Sequence, residues 1–141
     1  MKKFITIILL AAMLLNVFVL SACAEAANGA RNSNYFDYYG VNLTDQGDGR
    51  IKIVFSAGGT GVCDSIGVAT YMVEKLNENG DWVDVTGLLS GKTASGVTSY
   101  SYSKYFNGVE GETYYVQATF ICTIDGSTET KAYSSPSITT K

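Results

Sequence analysis

Beyond residue 37 the chain repeatedly alternates apolar and polar residues with a period of two, in short runs separated by turn signals. That period is the mark of half-buried strands, and no stretch shows a sustained helical stripe. Tyr39, Val41 and Leu43 alternate with Asn42 and Thr44, and Asp45–Gly49 supplies a turn. Ile51, Ile53 and Phe55 then alternate with Lys52, Val54 and Ser56, which predicts a hairpin. Gly58–Gly61 is expected to break the ladder before Cys63. The run Ile66–Leu76 is apolar on both parities and predicts a central strand, with a bulge as the device that would shift its facing. Asn77–Asp81 predicts a turn built on a left-handed Asn79-Gly80 pair, leading into Trp82–Val85. Residues 87–96 are small and polar apart from Leu88 and Leu89, and predict a loop.

Thr98, Tyr100, Tyr102, Lys104 and Phe106 share one parity, and Asn107-Gly108 ends that run. From Glu112 to Ile124 the chain sets Tyr114, Val116, Ala118, Phe120 and Cys122 against Tyr115, Gln117, Thr119, Ile121 and Thr123. The first set is expected to face a core. Asp125-Gly126 predicts a tight return, and Thr128–Ser135 a polar last strand, with Pro136 fitting a strand end. Seven strands at hairpin spacing predict an all-β, antiparallel sandwich of two sheets over residues 37–141 rather than a barrel.

The N-terminus is of another kind. Lys2 and Lys3 precede an apolar run, Phe4–Leu20, in which only Thr6 and Asn16 are polar, and small residues follow. A basic start, an apolar core and a small-residue exit predict a signal segment over residues 1–26, and so an exported protein. A transmembrane helix is the other reading, but the run is slightly short of the roughly 20 residues a span requires. Ala24-Glu25-Ala26 fits an ordinary signal peptidase, releasing a chain that starts at Ala27. Leu20-Ser21-Ala22-Cys23 resembles the bacterial lipobox instead, which implies cleavage before Cys23, lipid on its thiol and attachment to the outer face of the cell membrane. Residues 27–36 are expected to form a flexible lead-in.

Composition narrows the function classes. From Ala27 onward there are 8 basic and 12 acidic residues, a mild and dispersed negative balance that argues against nucleic acid or an anionic membrane surface as partner. Contact with a membrane is expected only through the possible lipid anchor. The chain has no histidine, so the commonest general base and the commonest zinc ligand are both missing. No cofactor and no metal site are expected. Cys63 and Cys122 are the cysteines beyond the signal segment, and in an exported chain an even pair reads first as a disulfide, with two buried free thiols as the alternative.

Val109, Gly111, Tyr114, Val116 and Ala118 together resemble the stretch entering strand F of immunoglobulin and fibronectin type III-like domains, although Glu110 stands where those patterns often have proline. The resemblance extends to the strand count and to the hairpin carrying Trp82. It is shared with small exported proteins of Gram-positive bacteria and implies no particular activity. It gives Tyr114 the role of a corner tyrosine bonded to upstream backbone, and Trp82 a structural role. It also sets the start of strand C beside the end of strand F, which brings Cys63 near Cys122. A bridge there would close a loop of about 60 residues and add on the order of 4 kcal/mol in the chain-entropy account.

Candidate chemistry is thin. Without histidine, a cysteine nucleophile has no evident base. Asp64, Asp81, Asp84, Glu110, Glu112 and Asp125 are candidates for a carboxylate-dependent hydrolase, yet they fall on turns and polar faces. Asp45, Asp48 and Gly49 superficially suggest a calcium loop but lack its closing Glu. The 10 tyrosines are the unusual feature. Most are expected to pack between the sheets, with Tyr35 and Phe36 as candidate binding aromatics ahead of the domain. The leading expectation is therefore a non-enzymatic exported module that meets a protein or glycan at the cell surface; a carbohydrate-binding module using exposed tyrosines and a small hydrolase are the alternatives.

Overall fold

The structure, a computed structural model, describes residues 33–141. The signal segment, Cys23 and most of the lead-in lie outside these residues. Ten antiparallel strand segments and no helix are described: β1 Phe36–Asp45, β2 Arg50–Cys63, β3 Ser65–Leu76, β4 Trp82–Asp84, β5 Leu89–Ser90, β6 Thr93–Ala94, β7 Val97–Asn107, β8 Thr113–Ile124, β9 Ser127–Ser134 and β10 Ile138–Thr139. They form two sheets and no closed barrel. The first sheet has the order β1–β2–β7. In the second, β8 lies between β3 on one side and β9 with β10 on the other, and β3 carries β4, β5 and β6 along its far edge.

The period-two reading of β8 holds. Tyr114, Val116, Ala118, Phe120 and Cys122 are all buried, and their core partners come from both sheets, among them Ile51, Ile53 and Phe55 of β2 and Val68, Tyr71 and Val73 of β3. In β3 the inward parity changes between Val68 and Tyr71, because the register against β8 shifts between Val68 and Thr70. That bulge explains why both parities of the run are apolar.

Several expectations are corrected. The segment count is ten, not seven. The additional segments are β5 and β6, from residues expected to be loop, and β10; β4, β5 and β6 run along one edge of β3, interrupted at Val85–Leu88 and at Gly91-Lys92. Gly91 sits so close to β3 that a Cβ there would lie 2.2 Å from the Val68 carbonyl oxygen. The polar strand expected at Thr128–Ser135 is β9, which ends before Pro136 as expected, and β10 resumes along β8 after Ser135-Pro136-Ser137. Proline has no N–H for the ladder, and the Ser135 hydroxyl accepts the Val116 N–H at 2.9 Å in the gap.

The glycines at 58–61 interrupt the β2–β7 ladder as expected, its register shifting between Gly58 and Cys63, while β2 itself continues to Cys63. They admit close neighbours: a Cβ on Gly58 would meet the Tyr38 ring at 2.2 Å, and one on Gly59 the Cys63 sulfur at 2.3 Å. The 77–81 turn is not built on a left-handed Asn79-Gly80 pair. Only Gly80 has positive φ, and the Asn77 side chain accepts the N–H groups of Asn79 and Asp81, each at 2.9 Å. Asp125-Gly126, by contrast, does place both residues at positive φ, 51° and 74°, as a two-residue hairpin demands.

The lead-in also ends sooner than expected. Ser33 donates its hydroxyl hydrogen to Glu129 at 2.8 Å, and the Tyr35 N–H donates to the same carboxylate oxygen at 3.0 Å. The Lys131 ammonium, 2.8 Å from Glu129, holds that carboxyl below its ordinary range, and the two lead-in donors add to the effect.

Candidate functional site

The cysteine pair sits at the corner where the chain leaves the first sheet for the second. Cys63 is the last residue of β2, opposite Val97 of β7, and only Asp64 separates it from β3. Cys122 lies opposite Ile66 on β8. Both side chains have no exposed surface, and their sulfurs are 3.2 Å apart. A disulfide requires about 2.05 Å, so the structure holds two free thiols and the expected bridge is not formed in it. Burial, and then the hydrogen bond with Cys63, push the Cys122 thiol up to about 12.

Tyr114, at the start of β8, bonds back to upstream backbone. Its ring is buried against Phe106, and its hydroxyl oxygen accepts the Val109 N–H at 2.8 Å. Gly108 lies under the ring, where a Cβ would be 2.7 Å from it.

The candidate aromatics divide differently from expectation. Phe36 is 1% exposed and belongs to the core, and Tyr35 packs against that core. Neither ring is free ahead of the domain. Trp82 is 40% exposed on the edge segment β4, so it does not serve as a core residue. Its indole meets the Tyr115 ring edge-on, with centroids 4.5 Å apart and planes at 73°. Trp82 lies opposite Leu76 and Tyr115 opposite Glu74, so both project from the outer face of the second sheet.

A polar network completes this patch. The Tyr115 hydroxyl donates to the Glu74 carboxylate, and the Gln117 amide donates to Tyr115 at 2.6 Å and to Glu74 at 3.3 Å. Partial burial and the bond to Glu74 raise the pKa of Tyr115. The polar groups are therefore fixed before any partner arrives, next to an indole that remains accessible. Reading by alternation found that Tyr115 and Gln117 share a face. It missed Trp82 and Glu74 because their proximity depends on how three strands align.

A second aromatic surface lies elsewhere. Tyr38, Tyr39 and Tyr133 line a shallow hollow of about 250 Å³ beside β1. Tyr39 and Tyr133 cross at 83° and both rings also contact Phe120. The exposed Tyr105 is not part of it: Tyr38 pairs with Gly58 and Tyr105 with Lys52, six positions apart along β2. Tyr105 is instead covered by the Arg50 guanidinium at 4.0 Å.

On the inner face of β7, Tyr100 and Tyr102 lie side by side, as their shared parity predicts. The Tyr100 hydroxyl is buried with no hydrogen-bond partner among the described residues, and burial followed by the neighbouring Tyr102 pushes its pKa up to about 12. Lys104 shares this inner parity, and its ammonium interacts with the Tyr71 and Tyr102 phenols, which raise its pKa. A lysine on an otherwise apolar parity was the sequence signal for this cluster.

The candidate acids are scattered. Asp64 accepts the Gly126 N–H at 2.9 Å, Asp84 accepts those of Thr86 and Gly87 at 3.0 and 2.8 Å, and Glu112 pairs with Lys75 at 3.5 Å. Each secures a turn or a strand end. Among the described residues no group of three His, Cys, Asp or Glu is placed to hold a metal ion. No protein-family model, curated protein or solved structure matches this chain.

Proposed function

We propose that the chain is an exported, non-enzymatic module of the immunoglobulin or fibronectin type III kind, secreted or lipid-anchored through Cys23, which binds a protein of the cell envelope at the Trp82–Tyr115 patch. Two observations support the fold assignment. The order β1–β2–β7 against β4–β3–β8–β9 corresponds to strands A–B–E against C′–C–F–G. The Tyr114–Val109 bond has the form of the tyrosine corner found at the entry to strand F.

The observation that carries the binding reading is the exposed Trp82 indole set edge-on to Tyr115 beside a fixed Glu74–Gln117 pair. Tryptophan and tyrosine dominate protein interfaces because they bury large, rigid, amphipathic surfaces at low entropic cost. Rings crossed at 73° offer an edge rather than the flat platform a sugar ring stacks on. The hollow at Tyr38, Tyr39 and Tyr133 favours a second reading, in which the module binds a glycan.

Binding of the purified protein to cell-envelope preparations separates the two. The protein reading expects Trp82→Ala to weaken binding about tenfold, Tyr38→Ala to leave it unchanged, and protease treatment of the envelopes to abolish it. Binding that survives protease, is lost on periodate oxidation of glycans and depends on Tyr38 would establish the glycan reading instead. Binding indifferent to both substitutions would refute both.

A further inference from the structure

We propose that Cys63 and Cys122 close into a disulfide joining the two sheets, and that closure occurs while the chain folds and not afterwards. The geometry carries the first part. The sulfurs lie 3.2 Å apart without any exposed surface, so a bond requires them to approach by little more than 1 Å. The corner that holds them is tightly built. The Asp64 N–H donates to the Thr123 carbonyl at 2.8 Å, and the Gly96 N–H donates to the Cys63 carbonyl at 2.8 Å. Gly59 leaves the space that the Cys63 sulfur occupies.

Burial carries the second part. Disulfide exchange requires a thiolate and an approach path for the incoming disulfide. In the folded dithiol neither exists: both sulfurs are fully enclosed, and the Cys122 thiol is held far above its ordinary pKa. Before the sheets meet, both are available. One thiolate attacks the disulfide of an exchange partner, which is either a dithiol oxidase outside the cytoplasm or a small-molecule disulfide. One partner sulfur leaves as a thiolate and a mixed disulfide remains. The second cysteine thiolate then displaces the other partner sulfur. The chain loses two electrons and two protons, and the partner is reduced to two thiols.

The pair also lies beneath the N-terminal segment. The Cys122 sulfur is 3.7 Å from the Tyr35 carbonyl oxygen, which also accepts the Thr60 N–H at 2.9 Å. The state of the cysteines therefore records whether the chain folded in an oxidising compartment, and it does so independently of what binds at Trp82.

The test uses the purified protein, reduced and unfolded, then refolded with or without oxidised glutathione; a third sample is refolded as the dithiol before oxidised glutathione is added. Intact mass and thiol counting after denaturation read the outcome. The expected product of oxidative refolding is two hydrogens lighter, free of thiols at 63 and 122, and melts at a higher temperature than the dithiol. The folded dithiol should oxidise at least about tenfold more slowly than the refolding chain. Refolded protein that keeps both thiols, or carries only glutathione adducts, would overturn the bridge. Equal oxidation rates before and after folding would overturn the timing.

Discussion

The hydroxyl oxygen of Tyr114 accepts a hydrogen bond from the Val109 N–H, 2.8 Å away and five residues upstream, while the ring beneath it is 2% exposed. One side chain thus fills the core and fastens the loop that delivers β8. Removing the hydroxyl and removing the ring should have different costs. Tyr114→Phe is expected to destabilise by about 1 kcal/mol, the net worth of one partly buried hydrogen bond. Tyr114→Ala should cost about 3–5 kcal/mol, because it leaves a cavity between the sheets. Denaturant unfolding of the two variants measures both. A Tyr114→Phe protein as stable as the parent would show that the corner bond contributes nothing.

Tyr100 should behave in the opposite way. Its hydroxyl is buried without a partner among the described residues, so the fold pays its desolvation cost without a compensating bond. Tyr100→Phe is expected to raise stability by about 1 kcal/mol. A loss of stability of similar size would mean that a water or another group satisfies this oxygen.

Acid should loosen the start of the domain first. Glu129 binds the Ser33 hydroxyl, the Tyr35 N–H and Lys131, and its folded pKa is lowered below the ordinary carboxylate value. A depressed carboxylate pKa contributes stability that is present above the unfolded pKa and is lost as pH falls through the folded pKa. Amide exchange at Tyr35 should therefore accelerate on acidification below the usual carboxylate range, while exchange in the middle of β8 stays slow. In Glu129→Gln the Tyr35 amide should exchange quickly at neutral pH as well. An unchanged Tyr35 amide in that variant would contradict the role assigned to Glu129.

The parts of the fold legible in the sequence are those where neighbouring residues decide the outcome. Alternation at Tyr114–Cys122 and at Ile51–Phe55 assigned the buried faces, and Asp125-Gly126 identified the hairpin by its backbone requirement. The misread parts depend on distant contacts. Gly58 and Gly59 mark the shift in the β2–β7 ladder, but nothing local shows that they also admit the Tyr38 ring and the Cys63 sulfur. Phe36 read as part of a free lead-in because nothing local shows that Glu129, 94 residues after Tyr35, fastens the preceding backbone. The part of the β3 edge formed by β5 and β6 lacks alternation, since it follows β3 only in two-residue pieces. The candidate site was half legible for the same reason. Tyr115 and Gln117 share a face by simple counting, but Trp82 and Glu74 join them only through the register of three strands.

The claim on which compartment, cysteine chemistry and partner all depend is that the chain leaves the cytoplasm. Intact mass of the protein recovered from the cells that make it, taken by fraction, tests this most directly. The account predicts a chain outside the cytoplasm that begins at Cys23 with a diacylglycerol adduct, or at Ala27 without one. A full-length chain beginning at Met1 and confined to the cytoplasmic fraction would contradict it.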